Sequence, residues 1–167
     1  MTFPEGLGFD PGGIGKGLTA DLVTHDLLSM GAAGVCVNMG GDLRVAGVDP
    51  IGNAWTIGID HPKCSSPIAL VGLSGGAVAT STVLKRAWSS GGKQRHHLLD
   101  PHTLEPSDSD VALATVIAGT AWEAEVLAKA ALLRGVHRAF DLLESNMACL
   151  VVDHEGNVFE SEGFSAF

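Results

Sequence analysis

The stretch "SDVALATVIAGTAWEAEVLAKAALLRG", residues 109–135, decides the fold. Its first part sets Val111, Leu113, Thr115 and Ile117 at alternate positions, the two-residue period of a β-strand. From Thr120 the composition turns to Ala, Leu, Glu and Lys, all strong helix formers, and Gly135 stands where such a helix would close. Further strands are predicted upstream at "GVCVNM" (34–39), "LRVAG" (43–47), "AWTIGID" (54–60), "PIALVGLSG" (67–75) and "GAVATST" (76–82), bounded by Asn, Pro and Gly. "SSGGKQ" (89–94) reads as a loop and "RHHLLDP" (95–101) as a strand that Pro101 ends. "VHRAFDLLES" (136–145) reads as a short helix, and "ACLVVDHEGNVFES" (148–161) as a hairpin across "HEGN". Near the N-terminus, "KGLTADLVTHDLLSMG" (16–31) places Leu18, Leu22, Leu27 or Leu28, and Met30 at helical spacing, stopping at Gly31. Strands cluster along the chain instead of alternating with helices. The expected class is therefore α+β, a mixed or antiparallel sheet with packed helices.

Composition narrows the function classes. The 167 residues suffice for one domain, 1–167, with a hydrophobic core. A net charge of −9 and no basic cluster argue against a nucleic-acid partner, while leaving room for a small phosphorylated ligand. No apolar run is long enough for a membrane span. The start "MTFPEG" has neither a basic nor an apolar leader segment, so no signal peptide is expected and the chain as it stands reads as cytoplasmic. Cys36 and Cys149 lie in apolar runs and read as small buried hydrophobes; with Cys64 they have no metal-binding spacing.

The segment "GFDPGGIGKGLTAD" (8–21) concentrates five glycines before the first helix. It is not a P-loop: Asp10 stands where the first glycine belongs, and Gly17 follows Lys16 where Ser or Thr is required. It also lacks the GxGxxG spacing of a dinucleotide fold. Two physical readings remain. Backbone N–H groups at a helix N-terminus, with Lys16, can hold an anion; alternatively, the glycines only let the backbone pack closely.

Five segments occur in order along the chain: "DPGGIGKGLTAD", "VNMGGDLRVAG", "WTIGID", "GAVATS" and "HHLLDPHT". Together they resemble the FAD:protein FMN transferase family, the ApbE-like flavin transferases. Members of that family carry a Gly-Gly-Ile-Ala-Lys-Gly loop, an Asn-x-Gly-Gly-Asp turn, a Val-Ala-Thr-Ser stretch and a His-x-x-Asp-Pro-x-Thr strand end. The resemblance implies an ApbE-like, T-fold-related architecture. It implies FAD as donor, transfer of FMN to a threonine of a target flavoprotein through a phosphoester, release of AMP, and assistance by Mg2+.

Carried onto this chain, the resemblance points to Gly12, Gly13, Gly15 and Lys16 at the diphosphate and to Asp21 one turn into the helix. It further points to Asn38, Gly40, Gly41 and Asp42 near the flavin or ribose, and to Thr80 and Ser81 beside the flavin. His97 and Asp100, with Lys16, are the candidate catalytic groups, His97 polarising a phosphate or relaying a proton. His96 is expected on the opposite face of its strand.

Two departures stand out. The family places an Asp and a Thr four residues apart on the late helix as magnesium ligands, beside a loop carbonyl that Gly15 would supply. Here those positions are Glu125 and Lys129. An ammonium has no lone pair, so Lys129 cannot ligate a cation but can stand in for one. Family members are also roughly twice as long, within the usual range for domains, and the match covers their C-terminal half to two-thirds, leaving the N-terminal part of the family fold absent. A smaller departure is Leu104, where a glycine usually follows the threonine. Besides transfer, the sequence leaves open a non-catalytic FAD-binding module and an FAD pyrophosphatase giving FMN and AMP.

Overall fold

The computed structural model describes residues 4–167. Met1, Thr2 and Phe3, half of the "MTFPEG" start, lie outside the described residues. In chain order the elements are α1 (Gly15–Ser29), β1 (Gly34–Met39), β2 (Asp42–Gly47), β3 (Trp55–Asp60), β4 (Pro67–Leu73), β5 (Gly75–Thr82), β6 (Ala87–Ser90), β7 (Lys93–His96), β8 (Val111–Ala118), α2 (Ala121–Arg134), β9 (Ala148–Asp153) and β10 (Val158–Glu160).

Six strands form one sheet in the order β1-β2-β5-β8-β9-β10. Its pairings are antiparallel, so the class is α+β with an antiparallel main sheet. The β1–β2 turn contains only Gly40 and Gly41, both at positive φ, the geometry of a tight hairpin whose twist matches its strands. One sheet face carries α1 and α2 through a core of small residues, among them Ala20, Ala77, Ala79, Ala114, Ala124 and Ala128. The other face is covered by the β3–β4 ribbon, where Ile57, Ile59, Val71 and Leu73 meet Val45, Val78, Ile117 and Leu150.

Covering both faces changes the reading of the central strand. The alternation predicts one buried face, yet every position of β8 is buried, as in a strand sandwiched between two layers. A bulge between Val111 and Leu113 shifts the phase. Those residues, two apart, therefore join the helix-side and ribbon-side cores respectively.

Helix α1 turns a different face inward from the one its leucines suggest. Gly17, Ala20 and Thr24 are buried, whereas Leu18, Leu22, Leu27, Leu28 and Met30 are exposed. The reason is close approach: a Cβ on Gly17 would lie 2.3 Å from the Ala121 carbonyl oxygen of α2. Small residues at this crossing let the helix backbones meet, and the larger stripe is left outside.

Other local expectations are corrected as well. "SSGGKQ" is the tip of the β6–β7 hairpin, with only Gly91 and Gly92 in the turn. The strand expected over 95–101 ends at His96, and beyond it only Leu99 bridges to Pro106. His96 causes part of that break, because its ring lies 2.9 Å from the Ser107 carbonyl and accepts the Leu98 N–H at 3.3 Å. The "VHRAFDLLES" helix is reduced to one 3-10 turn, Val136–Arg138, since a segment this short cannot support helix nucleation alone. Cys149 is buried as expected, and burial pushes its thiol pKa up to about 12; Cys36 is exposed instead. No helix among the described residues is long and apolar enough to cross a membrane.

Candidate functional site

The glycine loop splits into two functions. Gly17 is required by packing against α2. Gly13, by contrast, has open space where a side chain would stand: a Cβ there would meet only Lys129 Cδ, at 4.0 Å. The loop amides are less available to an anion than expected. Gly12 N–H donates to Asp10 Oδ1 (2.8 Å), Ile14 and Gly15 N–H to the Pro11 carbonyl (3.0 and 2.7 Å), and Gly17 N–H to Glu125 Oε2 (2.8 Å). Positive charge at this loop therefore comes from side chains.

Two lysine–carboxylate pairs supply it. Lys16 donates to Asp42 Oδ2, and Lys129 to Glu125 Oε1 at 2.9 Å. In each pair the acid is almost fully buried, at 2% and 1% exposure, while the lysine side chains keep 45% and 22%. The carboxylates are buried and anchor lysines whose side chains remain partly exposed. Asp42 thus holds Lys16 through one carboxylate oxygen.

Asp21 has a role the sequence did not suggest. Its two oxygens accept the backbone N–H groups of Ala121 (2.9 Å) and Trp122 (3.0 Å), capping the start of α2 from a neighbouring helix. Arg44 Nε lies 3.1 Å from the same carboxylate, and Arg44 Nη1 donates to the Val45 and Gly76 carbonyls. This clamp ties α1, α2, β2 and β5 together. Sequence reasoning does not single out Arg44, because its partners are distant along the chain.

On the opposite side of the sheet lies a cavity of about 910 Å³ lined by Asn38, Gly40, Gly41, Thr80, Cys36 and the β3 segment Trp55–Asp60, among others. Asn38 accepts the Gly41 N–H at 2.8 Å, holding the turn, and Thr80 shares a 2.8 Å hydroxyl contact with buried Thr115. Thr80 and Ser81 are neighbours on one strand and therefore point to opposite faces. Only Thr80 lines this cavity, and Ser81 is buried at 9% exposure. "WTIGID" was legible as a motif, but its contribution of a cavity wall was not.

His97 follows β7 in an exposed bend. Partial burial and the nearby positive charges of Arg86, His96 and Lys129 hold its pKa below the ordinary value, which keeps the imidazole neutral near pH 7. The structure thus brings His97 within electrostatic reach of Lys129. Asp100 accepts the Thr103 and His102 N–H groups on Oδ1, at 3.0 and 2.7 Å, and these bonds hold its pKa below the usual carboxylate range. It builds the following turn, in which Leu104 is forced to φ 60°. That left-handed conformation is the reason a glycine suits position 104.

The residues expected to bind Mg2+ do not fit it. Both Glu125 oxygens already accept hydrogen bonds, and Lys129, which has no lone pair to offer a metal, brings a cation of its own. Among the described residues, no group of three or more His, Cys, Asp or Glu side chains could hold a metal ion.

A sequence model of the ApbE family matches residues 2–151. The chain belongs to the ApbE family. It is 29% identical to the FAD:protein FMN transferase of Haemophilus influenzae over 162 residues, covering 95% of this chain and 47% of that protein. It is 32% identical to a Klebsiella pneumoniae FAD:protein FMN transferase over 124 residues, 72% of this chain and 37% of the relative. The fold superposes on the ApbE protein of Thermotoga maritima with a TM-score of 0.88 and 32% identity, over 98% of this chain and 54% of that one. The Vibrio cholerae flavin transferase ApbE gives a TM-score of 0.80 at 27% identity, over 95% and 52% of the two chains. The chain spans about half the length of the curated relatives it matches. The ApbE assignment covers the glycine loop, both lysine pairs and the cavity alike.

Proposed function

We propose that this chain carries the FAD-binding and transfer centre of an FAD:protein FMN transferase. The observation that carries the proposal is the pair of partly exposed lysines, Lys16 and Lys129, each ion-paired to a buried carboxylate, with Lys129 running beside the bare backbone of Gly13. A diphosphate bridging two ammonium groups is held by charge-assisted hydrogen bonds, roughly twice as strong as neutral ones. The cavity across the Gly40–Gly41 turn, walled by Trp55 and Ile57, suits one of the flat ring systems of FAD.

The reaction consistent with this site is displacement at the FMN phosphorus. The hydroxyl oxygen of an acceptor threonine forms a new P–O bond as the bond from that phosphorus to the bridging oxygen breaks. AMP leaves with the electron pair, and the threonine proton passes to a base. Lys16 and Lys129 offset charge on the phosphoryl oxygens, and neutral His97 is the candidate base. Gly13 leaves room for the diphosphate, Gly12 and Gly15 shape the loop around it, and Asn38, Gly40, Gly41 and Thr80 shape the ring site. Asp21 and Asp100 act as positioning residues, through α2 and the 100–105 turn.

Flavin fluorescence titration and chromatography of the products test the reading. FAD should bind at least tenfold tighter than FMN, because only FAD presents the diphosphate. AMP should appear only when a threonine-bearing flavin acceptor is present. AMP and free FMN without acceptor would indicate hydrolysis, and FAD bound but unchanged would indicate a binding module; either result counts against transfer.

A further inference from the structure

We infer that the ammonium of Lys129 replaces a divalent cation at the diphosphate, so that this chain binds FAD independently of metal. The inference rests on the flavin reading above and concerns how that site is charged. Its basis is Glu125, a carboxylate at 1% exposure on a helix face. A buried carboxylate is strongly disfavoured unless a cation or hydrogen-bond donors compensate it. Here both are present: Lys129 Nζ lies 2.9 Å from Oε1, and Gly17 N–H donates to Oε2 at 2.8 Å. The i, i+4 spacing on α2 holds the lysine over its partner.

Mg2+ takes oxygen ligands at about 2.0–2.1 Å in near-octahedral geometry. An ammonium in the coordination shell supplies no lone pair and repels the ion. Lys129 itself has three donors and, among the described residues, spends one hydrogen bond on Glu125. The remaining donors lie on a side chain that stays 22% exposed and runs past Gly13, whose missing side chain keeps the approach open. A fixed ammonium delivers one positive charge instead of two, but it is present at every metal concentration. Lys16, held by Asp42, supplies a second charge at the loop.

The test is FAD affinity in EDTA and in millimolar Mg2+, read by flavin fluorescence without any turnover. The wild-type chain should bind FAD equally in both buffers, within about twofold. In Lys129→Thr, which frees Glu125 and adds a hydroxyl, affinity in EDTA should fall at least tenfold and return when Mg2+ is added. Wild-type binding that requires Mg2+ would overturn the inference while leaving the flavin reading intact. Unchanged affinity of Lys129→Thr in EDTA, with an unaltered melting curve, would also overturn it. FAD that binds in neither buffer would refute the flavin reading and this inference with it. The wild-type comparison needs no variant, so a misfolded Lys129→Thr does not shelter the claim.

Discussion

Leu104 shows how one residue reports a constraint of its fold. A left-handed conformation costs a β-carbon-bearing residue about 1–2 kcal/mol, and glycine returns about 0.5–1 of that through its larger unfolded-state freedom. Leu104 is 74% exposed, so its side chain contributes little burial. Leu104→Gly should therefore stabilise the chain by about 0.5–1 kcal/mol in urea unfolding, and a loss of stability would contradict the turn geometry. The loop glycines separate in the same way. Gly13→Ala should leave stability within about 0.5 kcal/mol yet weaken FAD binding severalfold, whereas a Gly13 with no part in the site would leave FAD binding unchanged. His97 carries a pH prediction. Its pKa is lowered by folding, so its contribution to stability is complete above about pH 6.5 and is lost as pH falls through the folded value. FMN transfer should follow the same sign, flat above that pH and declining below it. His97→Asn should remove the acid limb together with most of the rate; an unchanged profile would take the base role from His97. What the sequence showed at this scale was residue type. It did not show which face carries the cavity: Thr80 and Ser81 alternate on one strand, and of the two only Thr80 lines it.

Between elements, the α1–α2 crossing is the structural hinge of the site. Gly17→Ala forces a Cβ to within 2.3 Å of the Ala121 oxygen, so the helices must part and the Gly17–Glu125 bond must stretch. A loss of about 2–3 kcal/mol is expected, in the upper range for overpacking. Asp21→Ala removes two caps on α2 and the Arg44 partner, and should cost about 1–3 kcal/mol. Equilibrium denaturation reads both; a loss below about 0.5 kcal/mol for either would mean the crossing is looser than the geometry states. The boundaries of β1, β5, β8 and α2 were legible because period, glycine and alanine content agree there. The inward face of α1 was not. Its leucines make the more apolar stripe, but contact with α2 selects the smallest residues, and that choice depends on a partner about a hundred positions away. The 95–101 and 136–145 segments were misread for a related reason. Side-chain bonds from His96 and Asp100 in one case, and short length in the other, outweigh local propensity.

At the scale of the molecule, a six-stranded antiparallel sheet separates two features that a ligand would have to join. On the helix side stand the lysine pairs; on the ribbon side lies the cavity, lined in part by the Gly40–Gly41 turn, which precedes Asp42 directly and is free of side chains. Family membership was readable from five ordered motifs, and the superposition over nearly the whole chain agrees with it. The departure at Lys129 was readable too, whereas the burial of Glu125 and Asp42 that gives the lysines their meaning was not. The central claim is that this arrangement moves FMN from FAD to a protein threonine. Intact-mass spectrometry of a threonine-bearing flavin acceptor, incubated with this chain and FAD in EDTA, tests it most directly. The account predicts that the acceptor gains the mass of one FMN group, with AMP formed in equal amount. An acceptor of unchanged mass, both in EDTA and after Mg2+ is supplied, would contradict it.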